Sequence, residues 1–356
     1  MSETQYASLF GTRLRQARQM AGFSLRELSD RIGGAVSHNA LAKYERGEMM
    51  PDGTLLIALS EALDKKPEFF FRKMQEPIQA VEYRNAHQLG EKEARTIRFK
   101  AQDHFERYLE IESLLGLKNA FANPLGKAVF STSAGMEDAA QHVRKQWKIG
   151  QDPILNFTQT LESHGIKLFE VEAPDAFEGF SGWINAHPVI VLNFQKNTLR
   201  KRHTLSHELG HLLLKGHLGP SLQEDVVVRR FGAAFILPEK AFKDAFGGHR
   251  ESLALEELIE LKAVWGISIS SIIMRAKELG LISQALYRRF WDDHGDAWAK
   301  ARREPGDDRY AGREESKRFF SLVHRAIAQQ EITRSKAAAL LDINLDELRE
   351  QINILS

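Results

Sequence analysis

The sequence predicts a mainly α-helical protein with one small mixed α+β section in the middle of the chain. Apolar residues recur at helical spacing through residues 1–75 and again through 248–356. Between these regions, 165–171 has the alternation of a strand and 188–194 is a short apolar run typical of one. With 356 residues the chain is too long for one ordinary core, so we expect two or three domains.

The composition excludes several classes of protein. With 49 Lys+Arg against 48 Asp+Glu, the chain does not have the charge of a protein coated in nucleic acid, although a local basic patch is compatible with this balance. The absence of cysteine rules out disulfides and thiolate zinc sites, which leaves His and carboxylates as metal ligands. The first residues lack the features of a signal peptide, and no apolar run approaches about 20 residues, so we expect a cytoplasmic protein with no membrane contact.

Residues 1–75 are predicted to form a compact domain of short helices. Ser24 and Glu27 have the spacing of a capping box, in which each side chain satisfies a backbone donor at the start of a helix. A further helix is expected over 37–46, and Pro67 closes the block after one more helix.

The order and spacing of these helices are those of a helix-turn-helix. The second helix of such a unit lies in the major groove of DNA and presents short polar side chains to the base edges. Four polar residues at the start and flank of helix 37–46 are the candidates for these contacts: Ser37, His38, Asn39 and Lys43. Between Leu9 and Arg46, seven basic residues stand against three acidic ones, an excess that suits phosphate contacts. The spacing alone is also compatible with a helical bundle that binds protein or that has only a structural role.

The segment LRQARQMAGFSLRELSDRIG, followed by LAKYERGEMMP, is similar to the Cro/repressor-type (XRE) helix-turn-helix family. The resemblance implies a DNA-binding domain that recognises a double-stranded operator. It also implies a homodimer, since regulators of this kind usually read two symmetry-related half-sites. Two features depart from the family pattern: Gly34-Ala35 resembles an insertion in the turn, and Leu25 stands where many members have a phosphate-contacting Gln.

The rest of the chain divides at changes of pattern. We expect a helical connector over 76–130, with helix across 76–120 and a solvated polar side, and a mixed domain over 131–247. The mixed domain is expected to contain helices at 136–147, 154–164 and 202–215. The region 248–356 is expected to be helical, with a solvated charged run from 302 to 318.

The most specific motif is His207-Glu208-Leu209-Gly210-His211. On a helix, residues four apart share a face, so His207 and His211 can present two imidazole nitrogens to one metal ion. Glu208 lies beside them, where it can take a proton from a water molecule that the metal activates. The motif also lies on a predicted helix that follows a strand, which makes a chance occurrence the weaker interpretation.

A zinc site of this type needs a third protein ligand, commonly a downstream carboxylate. The nearest downstream acids are Glu224 and Asp225. His203 and His217 flank the motif and are interpreted as ordinary polar residues.

The segment RKRHTLSHELGH (200–211), followed by FGAAFILP (231–238), resembles the ImmA/IrrE family of metallopeptidase-like proteins. The resemblance implies a zincin-like fold that binds zinc, with His207 and His211 as ligands and Glu208 as general base. The third ligand of the family is a Glu four residues before the Phe of the second motif, and this chain has Val227 there. Valine cannot bind zinc, and Glu224, one helical turn earlier, is the candidate substitute.

The segments 82–115 and 258–283 also resemble longer regulators that join these two domains. We favour a DNA-binding transcriptional regulator, of repressor or antitoxin type, whose zincin-like domain senses a signal or binds a toxin or repressor partner. The alternative is a zinc-dependent endopeptidase that cleaves itself or a partner repressor. Enzymatic activity is left open by the valine at position 227.

Two C-terminal features are interpreted structurally. The segment 332–348 has a small helix-turn-helix pattern, for which packing or a dimer contact is favoured over DNA binding. Trp265, Trp291 and Trp298 are favoured as core or interface residues over the lining of a ligand pocket.

Overall fold

The computed structural model describes residues 2–79, 89–117, 120–301 and 303–353. Within these ranges the protein has sixteen α-helices and one three-stranded sheet, which confirms the predicted mainly α fold with a small mixed section. No helix in these ranges is both long enough and apolar enough to cross a membrane.

The N-terminal helices are α1 (Glu3–Met20), α2 (Leu25–Arg31), α3 (His38–Glu45) and α4 (Gly53–Ala62), followed by a 3-10 helix (Pro67–Phe71). The predicted capping box is present at α2: the amide of Glu27 donates to Ser24 Oγ at 3.2 Å, and the amide of Ser24 donates to Glu27 Oε2 at 2.6 Å. Apolar side chains from all these elements share one small core, which includes Phe10, Leu28, Leu41, Leu59 and Phe70.

One long helix, α5 (Glu91–Leu114), leads from these helices to the rest of the chain. Residues 76–79 are not helical and 80–88 lie outside the described residues, so the expected helix is shorter than predicted. The expectation of a solvated polar side is wrong for four charged residues of α5 that are 7% exposed or less: Asp103, Glu106, Arg107 and Glu112. They are buried because other parts of the chain supply cations to Asp103, Glu106 and Glu112, and Arg107 pairs with Asp103 on α5 itself.

The sheet consists of β1 (Lys167–Val171), β2 (Gly179–Ile184) and β3 (His187–Asn193). The central strand β3 pairs parallel with β1 and antiparallel with β2. Side chains alternate along β3: Ile190 and Leu192 join one apolar core, whereas Val189 and Val191 join the core that contains α5. The sheet therefore lies between α5 and the helical layer that carries the metal motif, His207 to His211.

That layer is built from α6 (Gly135–Gln146), α7 (Phe157–Ser163), α8 (Thr198–Leu214), α9 (Glu224–Ile236), α10 (Glu239–Phe246), α11 (Leu255–Trp265) and α12 (Ile269–Glu278). The predicted helices at 136–147, 154–164 and 202–215 correspond to α6, α7 and α8. Helix α8 begins four residues earlier than predicted because the side chain of Asn197 accepts a hydrogen bond from the amide of Arg200 and caps the helix.

The C-terminal helices are α13 (Gln284–Ala301), α14 (Arg318–Ala328), α15 (Arg334–Leu341) and α16 (Leu345–Asn353). Helices α14 and α15 share the apolar core of α5. The turn after α15 reaches the N-terminal helices, where Lys65 pairs with Asp342 and Lys66 Nζ donates to the carbonyl of Ile343 at 3.1 Å. These contacts give 332–348 the packing role that the sequence favoured.

The run predicted to be solvated, 302–318, contains one buried carboxylate. Glu314 is 3% exposed and accepts hydrogen bonds from the amides of Phe157 and Thr158 at 3.1 and 2.7 Å. It also forms an ion pair with Arg202, a residue of α8 whose side chain is fully buried. The prediction is wrong at this position because Glu314 caps α7 and neutralises an arginine of the metal-motif helix.

Candidate functional site

Helix α8 places the two predicted histidine ligands side by side. His207 Nε2 lies 3.1 Å from His211 Nε2, as expected for residues four apart on a helix. Leu205 and Leu209, on the same helix, are fully buried and hold α8 against the sheet. Glu208, which follows His207 on the helix, is 1% exposed.

The first turn of α9 lies beside this pair. Glu224 Oε1 is 2.9 Å from His211 Nδ1, the ring nitrogen that faces away from His207. A ligand atom of Asp225 lies within 4.8 Å of ligand atoms of both histidines. Val227 is 1% exposed and packs in the core. The sequence did not single out Asp225 as a ligand.

Close contact between α8 and α9 brings these acids to the histidines. A Cβ atom on Gly210 would lie 2.9 Å from Val228 Cγ1, and one on Gly232 would lie 3.0 Å from the carbonyl oxygen of Ser206. A larger residue at position 210 would force Val228 to move, since Cβ atoms essentially never approach other heavy atoms within 3.0 Å, and one at position 232 would require Ser206 to shift by a few tenths of an ångström. The two glycines therefore set the distance between the histidines and the first turn of α9.

The side chains fit a divalent metal ion of the zinc type. Two imidazoles and a carboxylate are a common donor set for catalytic zinc, which keeps a fourth position open. Zinc–ligand bonds of about 2.0–2.2 Å in a tetrahedron place ligand atoms roughly 3.4 Å apart. The 3.1 Å between the Nε2 atoms of His207 and His211 is close to that value.

A cavity of about 390 Å³ adjoins the histidine pair, with His207 in its wall. Much of its lining is apolar, including Ile236, Leu237, Ile267 and Met274. A second cavity of about 490 Å³ shares four lining residues with the first: His203, Ser268, Ser270 and Ser271. His203, interpreted from sequence as an ordinary polar residue, thus lines both cavities.

The tryptophans occupy two kinds of position. Trp265 is 5% exposed in the core, as favoured from the sequence. Trp291 and Trp298 are partly buried against that core, with ring centroids 5.8 Å apart, and they also line the second cavity. The sequence treated pocket lining as the weaker interpretation for these two residues.

The candidate DNA-binding residues lie at the start and on the outer face of α3. Ser37 caps the helix, accepting a hydrogen bond from the amide of Ala40 at 3.2 Å. Asn39 and Lys43 are exposed, and His38 is half-buried. The opposite face of α3, which includes Leu41, is buried in the small core.

The basic patch is smaller than the sequence count indicates. Arg13 is fully buried and pairs with Glu106, and Arg18 pairs with Glu45 at 2.5 Å. Neither guanidinium is therefore available to DNA phosphates. The exposed basic residues of this region are Arg15, Arg26, Arg31, Lys43 and Arg46.

Two protein-family models match separate parts of the chain. Residues 14–70 match the family model described as Helix-turn-helix, and residues 161–277 match the model described as IrrE N-terminal-like domain. The chain therefore joins a segment similar to XRE-type helix-turn-helix domains to a segment similar to ImmA/IrrE peptidase-like domains, as the sequence predicted. No curated protein matches the chain.

Proposed function

We propose that this protein is a transcriptional regulator whose peptidase-like domain controls DNA binding by sensing a signal or binding a partner. The observation that carries the proposal is the position of α5 between the two domains. On one side, Arg13 of α1 pairs with Glu106 of α5 at 2.5 Å. On the other side, the ring of His104 of α5 stacks on Phe169 of β1, with centroids 4.1 Å apart. A change in the sheet of the peptidase-like domain would therefore act on a helix that also holds the DNA-binding helices.

For the DNA contacts we propose the exposed start and outer face of α3. Asn39 can form two hydrogen bonds to one adenine base, and Lys43 can reach guanine or a phosphate. Ser37 and His38, beside them, would contact the backbone or a base edge. We propose that two copies bind together, because helix-turn-helix regulators usually recognise two half-sites related by twofold symmetry.

For the peptidase-like domain we propose a zinc ion held by His207, His211 and a carboxylate from the first turn of α9. Bound zinc is a Lewis acid that polarises a carbonyl group or lowers the pKa of water. Glu208, nearly inaccessible to bulk water, would take up a proton at its carboxylate.

The cavity beside His207 supports a protein partner for this domain. Its apolar walls suit the side chains of a polypeptide segment, and the exposed guanidinium of Arg229 lines the same cavity. Arg229 has no ion pair within the described residues, so it is available to a carboxylate of the partner. We propose that a segment of a repressor or toxin protein binds here; the antitoxin role itself stays a prediction.

DNA binding can be tested by fluorescence anisotropy with a labelled duplex from the region upstream of the gene that encodes the protein. We expect binding to weaken steeply with salt, because basic side chains displace counterions from phosphates. Lys43→Ala should reduce the slope of log K against log salt by about 1. Lys240→Ala, an exposed lysine on α10, is the matched control and should bind as wild type does. Wild-type protein without salt-sensitive binding would overturn the proposal.

The second candidate function is a zinc-dependent endopeptidase that cleaves itself or a partner repressor. The complete His207-Glu208-His211 motif on α8 favours it, since this spacing is the one in which two histidines bind zinc and the glutamate acts as general base. Glu208→Gln should abolish cleavage of a co-expressed partner and derepression of a reporter in cells. If neither cleavage nor derepression changes in the variant, this alternative is wrong.

A further inference from the structure

The second cavity, of about 490 Å³, is lined by residues of α8, α12 and α13 and by the segment that follows α13. Trp291 and Trp298 of α13 both contribute to its wall, with ring planes at 83° and centroids 5.8 Å apart. They share a face of the helix because side chains at spacings of three, four and seven lie along one stripe. Binding sites for ligands typically have volumes of about 300–1,000 Å³, so this cavity is large enough for one.

Gly295 leaves space beside the two tryptophans. It lies four residues after Trp291 and three before Trp298, and it lines the same cavity. A Cβ atom at this position would lie 3.5 Å from Trp291 Cε3, which is an ordinary van der Waals distance. The fold therefore has room for a side chain here, and a third aromatic ring from outside the chain could pack against the tryptophans in an edge-to-face or offset geometry.

The charges at this cavity favour a ligand with a carboxylate. Its two acids, Glu304 and Asp307, are both paired with the buried Lys262. Arg303 also lines the cavity, is exposed, and forms no ion pair within the described residues. A guanidinium binds a carboxylate through two parallel hydrogen bonds, so Arg303 is suited to hold an acidic group at the mouth of the cavity.

A polar wall separates this cavity from the one beside His207. The four residues that line both cavities are His203, Ser268, Ser270 and Ser271. Their side chains can exchange hydrogen bonds with peptide groups, whereas the cavities on either side offer apolar or aromatic surface. An extended polypeptide has the same arrangement, with polar backbone groups between side chains that leave it at regular intervals. One segment could cross the wall with its backbone and place a side chain in each cavity.

We infer that the second cavity binds a large aromatic side chain of the polypeptide partner, and that Arg303 holds the carboxylate of a neighbouring residue. The inference rests on the polypeptide binding proposed above and specifies the chemistry of the segment. An apolar residue enters the cavity beside His207, and an aromatic residue with an acidic neighbour enters the second. Trp291 and Trp298 thereby determine which segments bind.

Selection of random peptides displayed on phage, with the immobilised full-length protein as target, tests this chemistry. We expect the selected peptides to share an aromatic residue next to an Asp or Glu, together with an apolar residue. Gly295→Leu fills the second cavity, so selection against this variant should lose the aromatic position and keep the apolar one. Ala297→Leu adds the same side chain at an exposed position of α13 and is the matched control, which should select peptides as wild type does.

Fluorescence anisotropy with one labelled peptide from that selection measures the contribution of each residue. Trp298→Ala should weaken binding by about 10-fold or more, since aromatic anchors dominate interface energies. Arg303→Gln should weaken it by about 2- to 5-fold, as for an exposed ion pair. This effect should vanish for a peptide whose acid is replaced by its amide. Arg313→Gln, another exposed arginine, is the matched control, and circular dichroism checks that each variant folds.

Three results would overturn the inference. If Gly295→Leu and Trp298→Ala bind the peptide as tightly as wild type does, the second cavity is not its binding site. If only Met274→Trp, which fills the first cavity, loses the peptide, the proposed partner site stands and the aromatic subsite is wrong. N-acetylphenylalanine, a small aromatic acid, should compete at least about 100-fold more weakly than the peptide, and equal competition would assign the cavity to a small ligand instead. If wild type selects no peptide, the proposed polypeptide partner itself is overturned.

Discussion

Replacement of Glu106 by glutamine should weaken the attachment of the DNA-binding helices to α5. The guanidinium of Arg13 is fully buried there, with Nη1 2.5 Å from Glu106 Oε2. It also donates to Gln16 Oε1 at 2.7 Å and to the carbonyls of Arg72 and Lys73 at 2.9 and 2.7 Å. In the variant these neutral acceptors remain, but the counter-charge is lost. Burial lowers the pKa of Arg13 and the carboxylate of Glu106 opposes that shift, so the buried cation depends on its partner.

The expected cost follows from the complete burial of the pair. Removing one partner of a buried ion pair typically destabilises a protein by about 3–5 kcal/mol. We expect that range for Glu106→Gln. The double variant Arg13→Met/Glu106→Gln should cost less than the sum of the single variants, with a coupling energy of about 2 kcal/mol. Glu110→Gln, one turn further along α5 in a partly exposed pair with Lys336, should cost less than about 1 kcal/mol.

Urea unfolding with two probes can measure these effects. All five tryptophans lie after residue 146, so their fluorescence follows the peptidase-like and C-terminal regions, whereas circular dichroism follows the whole chain. We expect Glu106→Gln to separate the two transitions, with the dichroism changing at lower urea. A cost for Glu106→Gln below about 1 kcal/mol, or additive effects in the double variant, would refute the view that this pair joins the domains.

Three further changes test other parts of the structure. Gly210→Ala should destabilise the protein by about 1–3 kcal/mol and weaken zinc binding, since the new Cβ would press on Val228; urea unfolding and chelator competition measure both. Burial raises the pKa of Glu162 to about 7, so its contribution to stability is complete below about pH 4.5 and is lost as the pH rises through 7. Glu162→Gln should flatten a decline of roughly 3 kcal/mol between pH 5 and 8 in urea unfolding. Glu314→Gln should cost about 3–5 kcal/mol in the same assay, because it leaves Arg202 buried without a counter-charge; a loss below about 1 kcal/mol would contradict this.

The features that the sequence predicted correctly are determined by residues a few positions apart. The capping box at Ser24 and Glu27 needs only a spacing of three, and the facing imidazoles of His207 and His211 need only a helical spacing of four. The strand β3 was found because its apolar residues are consecutive, as a strand buried on both faces requires. Local chemistry is sufficient for such features.

The acid that lies nearest to the facing nitrogens of the histidine pair could not be predicted in this way. Glu224 and Asp225 are adjacent acids, and which of them meets the Nε2 side of His211 depends on how α9 is placed against α8. That placement is set by Gly210 and Gly232, through contacts with Val228 and Ser206. No spacing between the acids and the motif contains this information, since it arises from the packing of two helices.

Buried charges were missed for a related reason. A run of charged residues predicts a solvated segment when the ion-pair partners of those residues are unknown. The partner of Glu314 is Arg202, 112 positions earlier. The same holds for Glu106, whose partner Arg13 is 93 positions away. An ion pair between distant segments leaves no periodic signal in either of them.

The Arg13–Glu106 pair lies where α5 meets the DNA-binding helices, so coupling between the two domains would have to act through this contact region. The family matches cover 14–70 and 161–277, so α5 lies outside both, and yet it carries most of the buried charges at the junction. An apolar contact tolerates small rotations, whereas buried ion pairs such as Arg13–Glu106 and Arg72–Asp103 are stable only in a narrow geometry. We therefore expect α5 to hold the DNA-binding helices in one orientation relative to the peptidase-like domain. Variants of α5 that keep zinc binding and the surface of α3 intact, yet change DNA affinity, would be the direct sign of this coupling.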